Sequence, residues 1–244
     1  MRIKAAFLDF DGTLGEMRPS HFAAYCAAAA ECGIEVSEEA LASRDLDAAW
    51  ARWMTPDGAL HLDESANESA FREVRVALAI DRLRAAGAQA DEASLRRAAE
   101  LVADVEGDSD WYALYEDAMP ALDRLAQAGV EAVIVSNHVW RLPEIMRNLG
   151  VGAKFEGVVT SARVGARKPH PLIFEHALRL TSARPEEIVM VGDSLSADVE
   201  GGERAGLHGV YLDRLGGGRR ARAVPPGVTT IRTLLDIPLE WPPS

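Results

Sequence analysis

Lysine is scarce in this chain of 244 residues: it occurs only as Lys4, Lys154 and Lys168, and arginine supplies the remaining basic side chains. Acidic residues outnumber basic ones by 38 to 26, which gives a formal net charge of −12 at pH 7. Such a chain repels nucleic acid and anionic membrane surfaces, so we expect neither as a partner. An anionic substrate must therefore be attracted by a local field at its binding site, and a lysine within a motif is notable.

Cysteine and long apolar runs are scarce too. Cys26 and Cys32 are the only two cysteines, and their spacing does not place them on one face of a helix, so we expect no disulfide between them. No apolar run approaches the roughly 20 residues that span a bilayer. The first residues form a strand pattern and lack the features of a signal peptide. These observations predict a soluble cytoplasmic protein, either a monomer or a homodimer.

Short apolar runs alternate with helical segments from Met119 onward, and this repetition predicts a parallel sheet with helices on both faces. The apolar run at residues 3–9 has to join that sheet. Between Pro19 and Glu116 the pattern is helical, and we see no strand signal there. The fold class is therefore predicted to be α/β, with a Rossmann-like parallel sheet core flanked by helices and an inserted, mainly α-helical cap. We assign residues 1–16 and 117–244 to the core and residues 17–116 to the cap.

The predicted elements can be given with their boundaries. Predicted strands cover Val130–Val135, Val158–Thr160, Ile188–Val191, Gly209–Leu212 and Val228–Ile231, with a closing turn at Leu234–Ile237. Predicted helices cover His21–Cys32, Glu38–Trp53, Phe71–Ala86, Asp91–Val105, Ala121–Ala128, Glu144–Leu149, Pro171–Leu180 and Asp198–Ala205.

Two short acidic motifs follow two of the predicted strands. The first is Asp9-Phe10-Asp11-Gly12-Thr13-Leu14, and the second is Gly192-Asp193-Ser194-Leu195-Ser196-Ala197-Asp198. Open α/β sheets place their active sites where strands end, so the two motifs are expected to meet. Carboxylates that meet repel one another unless a proton or a cation intervenes, and Mg²⁺ is a hard cation that prefers oxygen ligands. The motifs therefore predict a Mg²⁺-dependent hydrolase with Asp9 as the nucleophile and Asp11 as the group that transfers protons.

With two further motifs, the chain resembles the haloacid dehalogenase-like (HAD) hydrolase superfamily, in the branch with a helical cap after the first motif. The second motif of that family is matched by Ser136-Asn137 and the third by Lys168, within Arg167-Lys168-Pro169. All four motifs occur in the family's order, and the resemblance covers essentially the whole chain. Ser136-Asn137, Lys168 or a capping aspartate would each be unremarkable alone, and it is their coincidence that favours a functional interpretation.

The resemblance implies a role for each matching residue. Asp9 forms an aspartyl-phosphate, while Asp11 protonates the leaving oxygen and then activates water. Mg²⁺ is bound by the carboxylates of Asp9 and Asp193 and the backbone carbonyl of Asp11, and Asp198 orients a metal-bound water or supports the ligands. Phosphoryl oxygens are bound by Ser136, the backbone amide of Asn137 and amides near Gly12, and Lys168 neutralises charge.

Three alternatives remain open beside a phosphatase. Haloacid dehalogenases of the superfamily lack the second aspartate, so Asp11 favours phosphoryl transfer. A phosphomutase shares all four motifs. A phospho-aspartate switch protein would be a non-enzyme, but such receivers are about half this length and carry the acceptor on a central strand, whereas Asp9 follows the first strand.

The expected substrate is a small phosphorylated metabolite whose identity the sequence does not give. Selection is expected from side chains near the hinge, in the cap and after the second motif. These candidates are Glu16, Arg18, His21, Trp50, Arg52, Trp53, His138, Trp140 and Arg141.

Overall fold

The structure, a computed structural model, describes residues 1–42, 67–214 and 224–242. The strands of the described residues are β1 (Ala5–Leu8), β2 (Gly15–Met17), β3 (Tyr112–Leu114), β4 (Glu131–Ser136), β5 (Gly157–Thr160), β6 (Ile188–Gly192), β7 (His208–Leu212) and β8 (Thr229–Ile231). Six of them form one parallel sheet with the spatial order β5-β4-β1-β6-β7-β8, which confirms the predicted α/β core.

The central strands are apolar along their whole length because both faces of the sheet are covered. In β1, Ala6 and Leu8 pack into a hydrophobic cluster on one face, and Ala5 and Phe7 pack into a second cluster on the other. Successive side chains of a strand point to opposite faces, so a strand covered on both sides has no position for a polar residue. β1 pairs with β4 on one side and β6 on the other, which places the acidic residues after β1 at the centre of the sheet edge.

The described helices of the core are α5 (Ala118–Gln127), α6 (Leu142–Asn148), α7 (Ser161–Val164), α8 (Pro171–Leu178) and α9 (Glu200–Arg204). Four of these five helices match predicted ones, with ends that differ by at most three residues, and α7 was not predicted. The predicted helix Asp198–Ala205 is wrong at its start, because Leu195–Val199 forms a π-helical turn that leads into α9. In this turn the Asp198 carboxylate accepts a hydrogen bond from the Ser194 backbone N–H at 2.9 Å, so its side chain folds back toward the sheet.

Four described helices lie between β2 and β3: α1 (His21–Glu31), α2 (Glu38–Leu41), α3 (Glu68–Ala85) and α4 (Glu92–Glu106). They share a hydrophobic cluster of their own, in which alanines allow close packing around Tyr25, Leu83 and Val102. This agrees with an inserted helical module, while its boundaries at residues 16/17 and 116/117 stay predictions. Of the predicted helix Glu38–Trp53, residues 43–53 lie outside the described residues. No helix within the described ranges is long and apolar enough to cross a bilayer.

The expectation of no strand between Pro19 and Glu116 is wrong. β3 pairs with β2 in an antiparallel two-stranded sheet, with Gly15 opposite Leu114 and Met17 opposite Tyr112. Each strand has three residues, which is too short for an alternating pattern to stand out in the sequence. This small sheet connects the helical module to the core on both sides.

A buried ion pair stabilises the helical module, and its loss has a measurable consequence. The Arg75 guanidinium of α3 donates to both carboxylate oxygens of Glu106 at the end of α4, and His21 Nε2 of α1 lies 2.7 Å from the same carboxylate. Burial alone would raise the pKa of Glu106, but Arg75 and His21 outweigh it and hold the pKa well below its usual range. The stabilisation is therefore present at neutral pH and is lost as the pH falls toward that depressed pKa.

We expect Glu106→Gln to lower the free energy of unfolding by about 3 kcal/mol, because the Arg75 charge stays buried without its partner. Urea denaturation followed by circular dichroism measures this difference. Glu73→Gln is the matched control, since Glu73 forms an exposed pair with Arg96 in the same module. An equal decrease in the free energy of unfolding for the two substitutions would show that the buried Glu106 pair stabilises the protein no more than an exposed pair does.

Candidate active site

Asp9 lies at the carboxyl end of β1, where the strand gives way to a tight turn. Its backbone N–H still pairs with Val191 of β6, at 3.0 Å. Two donors fix its carboxylate at Oδ1, namely the Phe10 backbone N–H at 2.8 Å and Lys168 Nζ at 2.9 Å. Gly12 has a φ of 75°, a left-handed conformation that glycine adopts without strain, and its N–H donates to the Gly15 carbonyl. The turn thus keeps the Asp9 carboxylate oriented at the edge of the sheet.

Lys168 is buried among oxygen atoms from three elements. Its Nζ lies 2.6 Å from Asp198 Oδ1, 2.9 Å from Asp9 Oδ1 and 2.7 Å from the Val135 carbonyl. Burial alone would lower the pKa of Lys168, but the two carboxylates outweigh it and raise the pKa, so the ammonium group is retained. The scarce lysine of the third motif is therefore the cation between the first and fourth motifs.

The second motif holds Lys168 in place. The Asn137 side chain accepts a hydrogen bond from the Lys168 backbone N–H at 2.7 Å and donates one to its carbonyl at 3.0 Å. Sequence reasoning assigned Asn137 only a backbone contact to phosphate and missed this side-chain clamp, for which the sequence contains no local signal. Ser136 is buried at the end of β4, beside β1 and opposite Thr160 of β5. Both residues thus lie at the same sheet edge as Asp9.

Asp193 and Asp198 of the fourth motif meet Asp9 at this edge. One carboxylate oxygen from each of the three residues lies within 4.8 Å of the others. Gly192 makes the approach possible, because a Cβ atom at that position would lie 2.1 Å from Asp198 Oδ2. Close packing of Asp198 over the strand end therefore requires glycine at the end of β6.

The three carboxylates fit a divalent cation. Burial raises the pKa of Asp198 to about 7 and Asp9 adds to this, while Lys168 opposes it. Three carboxylates that are all ionised carry more negative charge than the single ammonium group of Lys168 offsets. A hard cation with oxygen ligands would supply the missing charge, and carboxylate oxygens are the donors that Mg²⁺ prefers.

Asp11 differs from Asp9 in its exposure. Half of its side-chain surface is accessible, and its Oδ2 lies 3.6 Å from Nε2 of His138. His138 is buried, and burial lowers the pKa of its imidazole to about 4 although Glu106 and Asp9 oppose the shift, so the ring is neutral at pH 7. Asp11 therefore faces a neutral ring and remains accessible to a bound molecule.

A cleft of about 170 Å³ lies between the helical module and the loop after β4. It is lined by Glu68, Phe71, Arg72, Arg75, Ala103, Asp104, Glu106, Gly107, Val139, Trp140 and Arg141. Trp140 and Arg141 were among the predicted substrate-selecting residues, and Arg141 donates to Glu68 across the cleft. Of the others, His21 contacts Glu106 and Glu16 accepts a hydrogen bond from Tyr115 at 2.7 Å. Trp50, Arg52 and Trp53 lie outside the described residues.

Two arginines near the site were missed by sequence reasoning. Arg75 lines the cleft from α3, and Arg167 directly precedes Lys168. Burial and the charge of Arg75 lower the pKa of Arg167 to about 10, while Asp9 raises it, so Arg167 lies close enough to Asp9 to interact with its charge. The position of Arg167 beside Lys168 was a usable signal. Arg75, in a helix full of charged residues, offered none.

The family model of the haloacid dehalogenase-like hydrolases matches residues 3–206. Because this match covers most of the chain, the protein belongs to the haloacid dehalogenase-like hydrolase family. The predicted family is thereby confirmed, and so is its hydrolase class.

Several curated relatives have named phosphatase activities, among them the following two. Phosphoserine phosphatase of Thermus thermophilus is 34% identical over 180 residues, which cover 72% of this chain and 67% of that protein. Glyceraldehyde 3-phosphate phosphatase of Methanopyrus kandleri is 37% identical over 101 residues, which cover 41% of this chain and 43% of that protein. The match to the second thus spans less than half of its length.

Solved structures share the fold along nearly the whole chain. The magnesium-bound HAD-hydrolase YfnB of Bacillus subtilis superposes with a TM-score of 0.69 at 21% identity, covering 97% of this chain and 100% of that one. A 2-haloacid dehalogenase of Pseudomonas syringae gives a TM-score of 0.61 at 23% identity, covering 96% of this chain and 95% of that one. At these identities the likeness concerns the fold alone.

Proposed function

We propose that the protein is a Mg²⁺-dependent hydrolase of small phosphate monoesters that acts through an aspartyl-phosphate on Asp9. The observation that carries this proposal is the position of the Asp9 carboxylate, 2.9 Å from Lys168 Nζ and grouped with Asp193 and Asp198 at the sheet edge. The general class, a HAD-like phosphatase, agrees with the phosphatases among the relatives.

The proposed reaction has two steps that share one proton carrier. In the first, an Asp9 carboxylate oxygen attacks phosphorus, and the P–O bond to the leaving group breaks as Asp11 donates its proton to the leaving oxygen. In the second, water attacks the same phosphorus and gives a proton to Asp11, which releases phosphate and restores Asp9. The exposure of Asp11 suits a group that meets first an ester oxygen and then water.

Lys168 and a bound metal ion would both stabilise negative charge at the site. The Lys168 ammonium contacts Asp9 at Oδ1 and so orients its carboxylate for attack. The carboxylates of Asp9 and Asp193 and the backbone carbonyl of Asp11 would hold Mg²⁺, with Asp198 supporting them through its contacts to Lys168 and Ser194. When bound, Mg²⁺ supplies neutralisation of the charge on the phosphoryl oxygens. Ser136 and the amides of Asn137 and Gly12 are proposed to bind those oxygens.

Two alternatives from the same family predict different products. A dehalogenase would expel a halide, which needs no proton, so the presence of Asp11 favours an oxygen leaving group. A phosphomutase would return the phosphoryl group to a second hydroxyl of its substrate. A switch protein would retain the phosphoryl group on Asp9 without turnover. For the partner, we propose a small phosphorylated metabolite, because the relatives with named activities include phosphoserine phosphatase and glyceraldehyde 3-phosphate phosphatase.

We expect phosphate release from a panel of small phosphate esters in the presence of Mg²⁺, loss of that release in excess chelator, and its recovery when Mg²⁺ is restored. Chloride release from a 2-haloacid is measured alongside, and none is expected. Halide release would contradict the role given to Asp11. Full activity in excess chelator would remove the metal from the mechanism.

A further inference from the structure

The ring of His138 is held rigidly beside the acid/base residue. It packs edge-on against Phe10, with ring centroids 5.4 Å apart and planes at 83°, and lies 5.4 Å from the ring of Tyr112. Its backbone carbonyl accepts a hydrogen bond from Thr160 Oγ1 at 2.9 Å. Only 4% of its side-chain surface is accessible. The sequence placed His138 among residues that select the substrate, but a ring so enclosed has little surface with which to contact one.

The two nitrogens of the His138 ring differ in their surroundings. Nδ1 is buried and has no hydrogen-bond partner among the described residues, while Nε2 points to Asp11 Oδ2 at 3.6 Å. A buried polar ring atom costs free energy unless it is paired, so a histidine in an aromatic enclosure needs a reason to be there. Phenylalanine would fill the same space. The contact with Asp11 supplies that reason.

The Asp11 carboxyl group faces this fixed ring nitrogen, and half of the Asp11 side-chain surface is accessible. A carboxyl group that transfers protons has to present one chosen oxygen to the leaving group, and a small misplacement of such a group lowers the rate strongly. Hydrogen bonds in catalytic sites without substrate are often long and shorten when the substrate binds. A distance of 3.6 Å lies just beyond hydrogen-bond range, so a small movement of the exposed carboxyl completes the bond.

We propose that His138 is a positioning residue whose Nε2–H donates to Oδ2 of Asp11 and so leaves Oδ1 to carry the transferred proton. This inference rests on the proposed function. The proton passes from Asp11 Oδ1 to the ester oxygen as the P–O bond breaks, and the next proton comes to Oδ1 from the attacking water. His138 keeps its own N–H throughout and exchanges no proton with the substrate.

The test compares two phosphate esters that differ only in their need for protonation: an aryl ester with an acidic leaving group and an alkyl ester. His138→Phe keeps the ring packing and removes the donor, and His138→Gln restores a side-chain N–H. We expect His138→Phe to lower kcat for the alkyl ester by roughly 10- to 100-fold, a part of the roughly 10²- to 10⁴-fold that general acid catalysis contributes, and to affect the aryl ester far less. His138→Gln should recover most of the alkyl-ester loss.

A double-mutant cycle separates positioning from packing. If His138 acts through Asp11, then adding His138→Phe to Asp11→Asn causes no further loss on the alkyl ester. Equal losses on both esters, a glutamine variant no better than phenylalanine, or multiplied losses in the double mutant would each overturn the inference and leave the proposed function intact. Failure of the wild-type protein to release phosphate from either ester would overturn the proposed function and the inference with it.

Discussion

Replacing Asp9 with asparagine is expected to lower kcat by at least about 10⁴-fold, because the amide has no anionic oxygen with which to attack phosphorus. The two side chains are nearly equal in size, and the Phe10 N–H can still donate to the remaining carbonyl oxygen. The fold should therefore persist. Steady-state phosphate release and thermal denaturation of the same sample measure the two effects together.

Asp123→Asn provides the matched control for Asp9→Asn. Asp123 lies on α5 and forms an exposed ion pair with Lys154. The same chemical change at this position should therefore leave turnover intact. Wild-type rates in Asp9→Asn would contradict the assignment of the nucleophile. If turnover is lost and the variant is also unfolded, the loss would be caused by unfolding and not by removal of the nucleophile.

Replacing Lys168, the buried lysine of the third motif, is expected to lower both turnover and stability. Lys168→Met removes the ammonium group that contacts Asp9 and Asp198, so these two buried carboxylates lose the cation that lies between them. We expect kcat to fall by roughly 10²- to 10³-fold, as for the loss of one charge-stabilising group. We also expect the free energy of unfolding to fall by about 3 kcal/mol, the usual result of breaking a buried ion pair.

Lys154→Met is the matched control for Lys168→Met, because Lys154 forms an exposed ion pair with Asp123. It should change neither turnover nor stability by much, since exposed ion pairs contribute little. Chemical denaturation and steady-state kinetics of the two variants give the comparison. Similar changes in turnover and stability for the two substitutions would mean that the contacts of Lys168 contribute no more than an exposed ion pair does.

The fold was predictable where each local pattern agreed with the global arrangement. Apolar runs such as Ile188–Val191 lie in a sheet covered on both faces, and Gly33 and Gly129, both with positive φ, follow directly on the predicted helices His21–Cys32 and Ala121–Ala128. β2 and β3 were missed because their pairing joins residues about 100 positions apart, over only three residues each. The π-helical turn at Leu195–Val199 was missed because its shape follows the burial of Asp198, a tertiary effect.

The site was predictable to the extent that its residues follow strands. Asp9, Ser136 and Asp193 come directly after or at the end of β1, β4 and β6, and parallel strands bring such residues to one edge. Lys168 follows no strand, and only its place in a motif pointed to it. The Asn137 clamp, the Arg75–Glu106 pair and the His138–Asp11 contact depend on side-chain directions in three dimensions, which no spacing in the sequence reveals.

Covalent capture of the phosphoryl group shows whether Asp9 is the nucleophile. In Asp11→Asn, an aryl phosphate should still phosphorylate Asp9, because its leaving group needs little protonation, whereas the water step lacks its base. Rapid mixing with Mg²⁺, acid quench and peptide mass spectrometry should then show a burst of one aryl alcohol per active site and one phosphoryl group on Asp9. The Asp9→Asn variant should show neither. A burst without label on Asp9, or label on another residue, would contradict the account.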